Sequence, residues 1–206
     1  MSADPRRSRT ICVYCSSSER IDPGFVDLAT AVGTEVGRRG WSLVSGGGSV
    51  SMMGAVARAA RSAGARTVGV IPAALVAMEV ADHDADELLV TQDMRARKGI
   101  MDARADAFLT LPGGIGTLEE LLEVWVARSL GMHDKPVVVL DPDGTFTLLR
   151  RQVEALEDGG FVRAEAAAAV HWATTVEEAF AVLARLLGHA EPHVGPVPEE
   201  LLESQP

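Results

Sequence analysis

Three glycines, a threonine and two adjacent glutamates crowd into Pro112-Gly113-Gly114-Ile115-Gly116-Thr117-Leu118-Glu119-Glu120. Glycines so close together let the backbone take positive φ and aim successive N–H groups at one point. The apolar run Ala107 to Leu111 before them reads as a buried strand, and Leu118, Leu121, Leu122 and Trp125 after them recur at helical spacing. Strand, glycine turn and helix N-terminus together make an anion site suited to phosphate, with Gly113, Gly114, Ile115, Gly116 and Thr117 as its candidate residues. Thr117 also fits a helix N-cap, and Glu120, three residues on, fits the capping-box position. The acids Glu119, Glu120 and Glu123 are equally what a helix dipole favours in a first turn, on an arc opposite Leu118, Leu122 and Trp125. Glycine density weighs against the purely structural reading, because an ordinary strand-to-helix connection needs one glycine at most.

Two further clusters have chemical potential. Ser45-Gly46-Gly47-Gly48-Ser49 follows the apolar run Trp41 to Val44 and precedes a helical pattern from about Val50 to Ala63. It is no Walker loop, since no Gly-Lys-Ser/Thr follows, and the G-x-G-x-x-G fingerprint breaks at Ser51. Spacing alone leaves Ser45, Gly46, Gly47 and Gly48 as either a structural turn or a ligand loop. Arg95, Arg97, Lys98 and Arg104 form the most basic window of the chain, on a helix expected from Asp93 to Ala105 with Met94, Met101 and Ala105 buried. Such a window suits a phosphate, or equally a solvated face with Asp102 four residues after Lys98. Cys12 and Cys15 form a C-x-x-C. In a strand, residues three apart point to opposite faces, and no second Cys/His pair stands at ligand spacing, so buried thiols are expected rather than a redox or zinc motif.

The elements that must position these groups alternate. Strands are expected at Thr10 to Cys15, Trp41 to Val44, Thr67 to Ile71, Leu88 to Thr91, Ala107 to Leu111, Val137 to Leu140 and Val170 to Ala173. The intervening helices include Pro23 to Arg39, Thr117 to Leu130, Phe146 to Asp158 and Thr175 to Leu187. Alternation of this kind implies a single α/β domain over residues 10–187, a doubly wound (Rossmann-like), mainly parallel sheet flanked by helices. Ligands in such sheets lie beyond the carboxyl ends of the strands, where both glycine loops fall. Residues 1–9 and the proline- and acid-rich 188–206 read as disordered tails.

With 206 residues, 47% of them hydrophobic, the chain can fill one full core. A formal charge of −10 argues against nucleic acid or an anionic membrane as the main partner. No apolar run approaches a membrane span, and Met1 to Arg9 lead into no apolar signal region, so a cytoplasmic protein is expected.

The run from Pro112 to Glu120 carries Pro-Gly-Gly-x-Gly-Thr-x-x-Glu intact, the signature of the LOG family of cytokinin-activating phosphoribohydrolases, which are often labelled lysine decarboxylases. Ile11 to Ser18, Ser45 to Gly54 and Met94 to Lys98 resemble the same family, and the likeness covers roughly residues 9–187. The resemblance implies cleavage of the N-glycosidic bond of N6-substituted adenosine 5′-monophosphates, giving free base and ribose 5-phosphate. It implies Glu120 as the carboxylate beside the anomeric carbon, Arg97 holding phosphate, ribose or Glu120, and Lys98 and Glu79 positioning the nucleotide. It further favours Ser16 and Ser45 to Gly48 as substrate contacts, with neither metal nor cofactor. The family commonly has glycine at positions 16 and 51 and threonine at 126, where this chain has Ser16, Ser51 and Val126. Two rivals stay open. One is a nucleotide-binding module without turnover. The other is a pyridoxal-phosphate decarboxylase, for which only Lys98 and Lys135 could form the Schiff base. The apolar run Val124, Trp125 and Val126 is wider than one core-facing stripe and predicts a homodimer.

Overall fold

The structure, a computed structural model, describes residues 8–76 and 81–188. Both expected tails lie mostly outside the described residues, and Glu79 lies outside them entirely. Ser8 and Arg9, assigned to the N-terminal tail by sequence, are tied to the domain instead. The Ser8 hydroxyl donates to Gly40 O at 2.6 Å, and Arg9 Nη2 donates to Leu187 O at 2.9 Å.

Seven strands form one sheet: β1 Thr10–Tyr14, β2 Ser42–Ser45, β3 Thr67–Pro72, β4 Glu87–Thr91, β5 Ala107–Thr110, β6 Val137–Leu140 and β7 Val170–Ala173. Their spatial order is β4-β3-β2-β1-β5-β6-β7, and every pairing is parallel. The chain builds outward from β1 to one edge, then crosses back to β5 and builds to the other. The switch point therefore lies between β1 and β5, where Cys12 pairs with Phe108 and Tyr14 with Thr110. A crevice for ligands opens at the carboxyl ends of such a pair.

The helices are α1 Pro23–Arg38, α2 Ser51–Ser62, α3 Ala73–Val76, α4 Met94–Arg104, α5 Ile115–Ser129, α6 Thr147–Asp158, α7 Ala164–Ala167 and α8 Val176–Leu187. On one face α1, α2 and α8 cover Ile11, Val13, Leu43, Leu109 and Val138; on the other α4 and α5 cover Cys12, Tyr14, Val44, Phe108 and Val137. Alternate residues of one strand thus serve opposite layers. Cys12 and Cys15 follow this rule: both are free and buried, one in each layer. The α1 and α2 backbones come close enough that a Cβ at Gly33 would sit 2.2 Å from Val56 O, which requires glycine there.

Two boundaries differ from expectation in ways that matter for the site. Helix α5 begins at Ile115, with Gly114 as N-cap and no side-chain cap, so Thr117 stands inside the first turn and Glu120 is no capping-box residue. On α4 the buried residues are Ala96, Arg97, Ile100 and Met101, whereas Met94, expected in the core, is exposed. The core-facing stripe of α4 passes through an arginine.

Candidate active site

The chains leaving β1 and β5 straddle the switch point. Cys15 to Ser18 leave β1, Gly114 to Thr117 open α5, and between them lies a cleft of about 280 Å³. Ser16 is buried, and its hydroxyl accepts from the Ser18 N–H at 3.1 Å, which turns the serine loop back toward the cleft. Opposite it, the first intrahelical bond of α5 runs from Leu118 N–H to Gly114 O, so the N–H groups of Ile115, Gly116 and Thr117 precede the helical ladder. Gly114, Gly116 and Thr117 line the cleft. Thr117 is buried against Gly113, where a Cβ would lie 2.1 Å from its Oγ1, so Gly113 seats Thr117 from behind the wall. Ile115 points outward, 87% exposed. Of the five candidates in this loop, three face the cleft, one supports it and one belongs to another surface.

The charge in the cleft is a carboxylate facing a guanidinium. Burial pushes Glu120 up from the ordinary 4.5, Arg97 pulls it back and Glu119 raises it again, leaving a pKa of about 7. Arg97 is 4% exposed. Its Nε donates to Val70 O at 3.0 Å, its Nη2 to Gly46 O at 2.9 Å, and its Nη1 to the Met94 sulfur at 3.6 Å. Two carbonyls from β3 and the loop after β2 therefore fix a buried cation beside the carboxylate.

That geometry corrects the second glycine loop. Ser45, Gly46, Gly47 and Gly48 are buried, and none of them lines the cleft among the described residues. A Cβ at Gly46 would stand 1.8 Å from Arg97 Nη2, so this glycine makes room for the arginine. Gly47, at φ 76°, lies over Val70 and Ile71, and its carbonyl accepts from Asp82 N–H at 2.9 Å. Gly48 bridges Ala81. The close approach that the glycines predicted is real, but what approaches is protein.

Lys98 is likewise not brought to the cleft. Its Nζ pairs with Glu119 and with Glu123, the latter at 2.6 Å, on the outer side of α5. Burial lowers its pKa, but the hydrogen bonds to the two glutamates outweigh this and leave it raised. It acts on Glu120 only through the field, in the direction that favours the carboxylate.

Sequence reasoning missed the apolar side of the cleft: Met53 from α2, Leu75 from α3 and Met94 from α4. It also passed over Ser17 and Ser18, whose position after β1 was the available signal. A wider hollow of about 410 Å³ lies over β6 and β7, away from both glycine loops. Arg150 pairs with Glu154 at 3.3 Å and stacks 5.8 Å from Trp172. Among the described residues no three His, Cys, Asp or Glu cluster as a metal site, and no helix is long and apolar enough to cross a membrane.

Comparison with known proteins places this geometry in company. The family described as "possible lysine decarboxylase" matches residues 53–183. Proteins named cytokinin riboside 5′-monophosphate phosphoribohydrolase match at 57% identity in Mycobacterium marinum and 54% in Mycobacterium tuberculosis. Each match spans 153 residues, 74% of this chain and 81% of the relative. A rice protein named as a probable member of the same enzyme group is 41% identical over 172 residues, covering 84% of this chain and 70% of its own length. Among solved structures, the Moco carrier protein from Chlamydomonas reinhardtii superposes with a TM-score of 0.68 at 25% identity, covering 89% of this chain and 100% of the carrier.

Proposed function

The chain belongs to the LOG family of cytokinin riboside 5′-monophosphate phosphoribohydrolases, and from that membership we propose its reaction and the residues that perform it. It hydrolyses the N-glycosidic bond of N6-substituted adenosine 5′-monophosphates, releasing the free base and ribose 5-phosphate. The observation that carries the assignment is Glu120, a carboxylate with a pKa of about 7 beside a buried arginine in the cleft at the switch point. Departure of the base leaves positive charge on the ribose ring, and an ionised Glu120 there stabilises that charge and directs a water to the anomeric carbon. Arg97 keeps Glu120 ionisable near neutrality and fixes its orientation. The 5′-phosphate sits on the N–H groups of Gly116 and Thr117 with the Ser16 loop across from them, where helix polarity and free donors coincide. Met53, Leu75 and Met94 offer the base and its N6 group an apolar wall. Glu79 is assigned to the nucleotide by resemblance alone.

The decarboxylase label does not suit the two lysines. Lys135 is 6% exposed, with Nζ donating to Asp102 O at 2.7 Å and Oδ1 at 2.8 Å, and Lys98 is committed to two glutamates. Neither has a free amine facing the cleft with which to form a Schiff base.

The working unit on this reading is a homodimer. Along the outer side of α5, Ile115, Leu122, Val126, Leu130 and Met132 are exposed around a shallow groove of about 840 Å³, next to the Glu119–Lys98–Glu123 cluster. Contiguous apolar surface rimmed by charge is the signature of an interface, and a two-fold axis is its commonest operator. The expected face shifts, however: Val124 and Trp125 are core residues and only Val126 of that run is exposed. On this reading the enzyme works in the cytoplasm, where buried thiols such as Cys12 and Cys15 stay reduced.

The test compares isopentenyladenosine 5′-monophosphate with isopentenyladenosine, following free base and ribose 5-phosphate by chromatography. Charge-assisted contacts contribute about 1.5 to 3 kcal/mol each, so loss of two lowers kcat/KM by roughly 10²-fold or more. Equal values would reclassify the protein as a nucleoside hydrolase. Tight AMP binding with no released base would instead favour a carrier-like module, the second reading, which the superposition on a cofactor carrier keeps in view.

A further inference from the structure

Ser51 is the sole residue other than glycine with positive φ, at 51°, among the described residues. It opens α2, whose N-terminus has no side-chain cap, and the loop before it is held by contacts of its own. Arg58 Nη1 donates to Ser49 O at 2.8 Å, and a Cβ at Gly54 would fall 1.9 Å from that same oxygen. A left-handed serine is strained where glycine would be at ease, so something must offset the strain. The conformation aims the Ser51 hydroxyl at β1's exit loop, where Oγ donates to Ser18 O at 2.6 Å. Ser18 lines the cleft, and its N–H is the one that the Ser16 hydroxyl accepts.

We infer that Ser51 is a positioning residue for substrate phosphate: its hydroxyl clamps the Ser16–Ser18 loop at the distance from the α5 N-terminus that an anion needs. The inference rests on the nucleotide reading above. That bond ties the serine loop to α2, and with it to Met53 on the apolar side of the cleft. Without it the hydrogen bonds left to the loop among the described residues are those of its own turn, Ser18 N–H to Ser16 Oγ and Arg20 N–H to Ser18 Oγ at 3.3 Å. Such local turns fix the shape of the loop but not its distance from Gly116 and Thr117.

Strain and clamp can be separated by substitution. Ser51→Gly removes both the hydroxyl and the strain, Ser51→Ala removes the hydroxyl and keeps the strain, and Ser51→Asn keeps a donor on a residue that tolerates this conformation. Affinity for AMP is measured by calorimetry, melting temperature by scanning calorimetry, and base release by chromatography on each protein. The clamp predicts that Ser51→Gly and Ser51→Ala bind AMP about 3- to 10-fold more weakly. Their melting temperatures should part, with the glycine variant at or above wild type and the alanine variant below it. Ser51→Asn should keep most of the affinity. Glycine and wild type binding AMP equally, or affinity following the order of melting temperatures, would overturn the role. AMP binding needs no turnover, so wild type that binds AMP but releases no base would sink the hydrolase reading while leaving the comparison of variants decisive.

Discussion

Replacing Glu120 by glutamine keeps the shape of the side chain and removes the charge that the site has arranged to hold near neutrality. A charge-stabilising or general-base group of this kind contributes about 10²- to 10⁴-fold, and the lower half of that range already exceeds 2 kcal/mol. AMP should still bind, because on the proposed reading its phosphate rests on Gly116 and Thr117 rather than on the acid. The pKa of about 7 adds a second signature. If the ionised carboxylate does the work, wild-type kcat/KM should climb about tenfold between roughly pH 6 and pH 8 as Glu120 loses its proton. The substrate phosphate also titrates near pH 6, so a part of any rise belongs to it. Glu120→Gln separates the two, since the limb that vanishes in the variant is the carboxylate's. The assay is initial rate of base release against pH for both proteins. A variant keeping more than about a tenth of the wild-type rate, or a wild-type rate that falls through pH 7, would refute the reasoning. The first result would make Glu120 a structural acid, and the second would mean that its protonated form acts.

The same substitution should stabilise the fold. Because the folded pKa of Glu120 stands above the ordinary 4.5, the folded state keeps a proton that the unfolded chain releases, and wild-type stability falls as pH rises from about 4.5 to 7. Glu120→Gln should therefore melt above wild type at about pH 8 and converge with it near pH 5, by calorimetry; a variant less stable at both would contradict the assigned burial. Gly46→Ala places a Cβ 1.8 Å from Arg97 Nη2 and should expel the guanidinium, costing at least about 10²-fold in kcat and moving the Glu120 limb upward by a pH unit or more. Unchanged activity there would mean that Arg97 is not needed where it lies. Val126→Asp sets a charge in the exposed α5 face and should convert the proposed homodimer to monomer by light scattering, whereas a wild type already monomeric at micromolar concentration would remove the interface.

The sheet was legible because its central strands are buried on both faces and read as unbroken apolar runs: Val137 to Leu140 and Ala107 to Thr110 are buried throughout. The glycine turn before α5 was legible for a related reason. Three glycines ahead of a helix are more than a plain connection requires, and Gly114, Gly116 and Thr117 do meet the cleft. What escaped was everything decided by a distant partner. Met94 and Met101 are seven apart and suggested the buried stripe of α4, but the stripe runs through Arg97, three residues after one and four before the other. An arginine takes a core position only when its donors are satisfied, and these are satisfied by Val70 and Gly46, 27 and 51 residues away in sequence, which no local pattern announces. The sequence also left open whether the second glycine loop was a structural turn or a ligand loop, and its residues do not line the cleft. Gly46 is needed because a guanidinium occupies the space beside it, so its glycine reports a charge supplied by the protein. On the proposed reading the cleft takes the phosphate at the start of α5, and its fixed cation, Arg97, is set against Glu120. If that loop alone takes the phosphate, the facing serine loop needs a hold of its own. The left-handed Ser51 bonded to Ser18 is the feature of this chain placed to hold it.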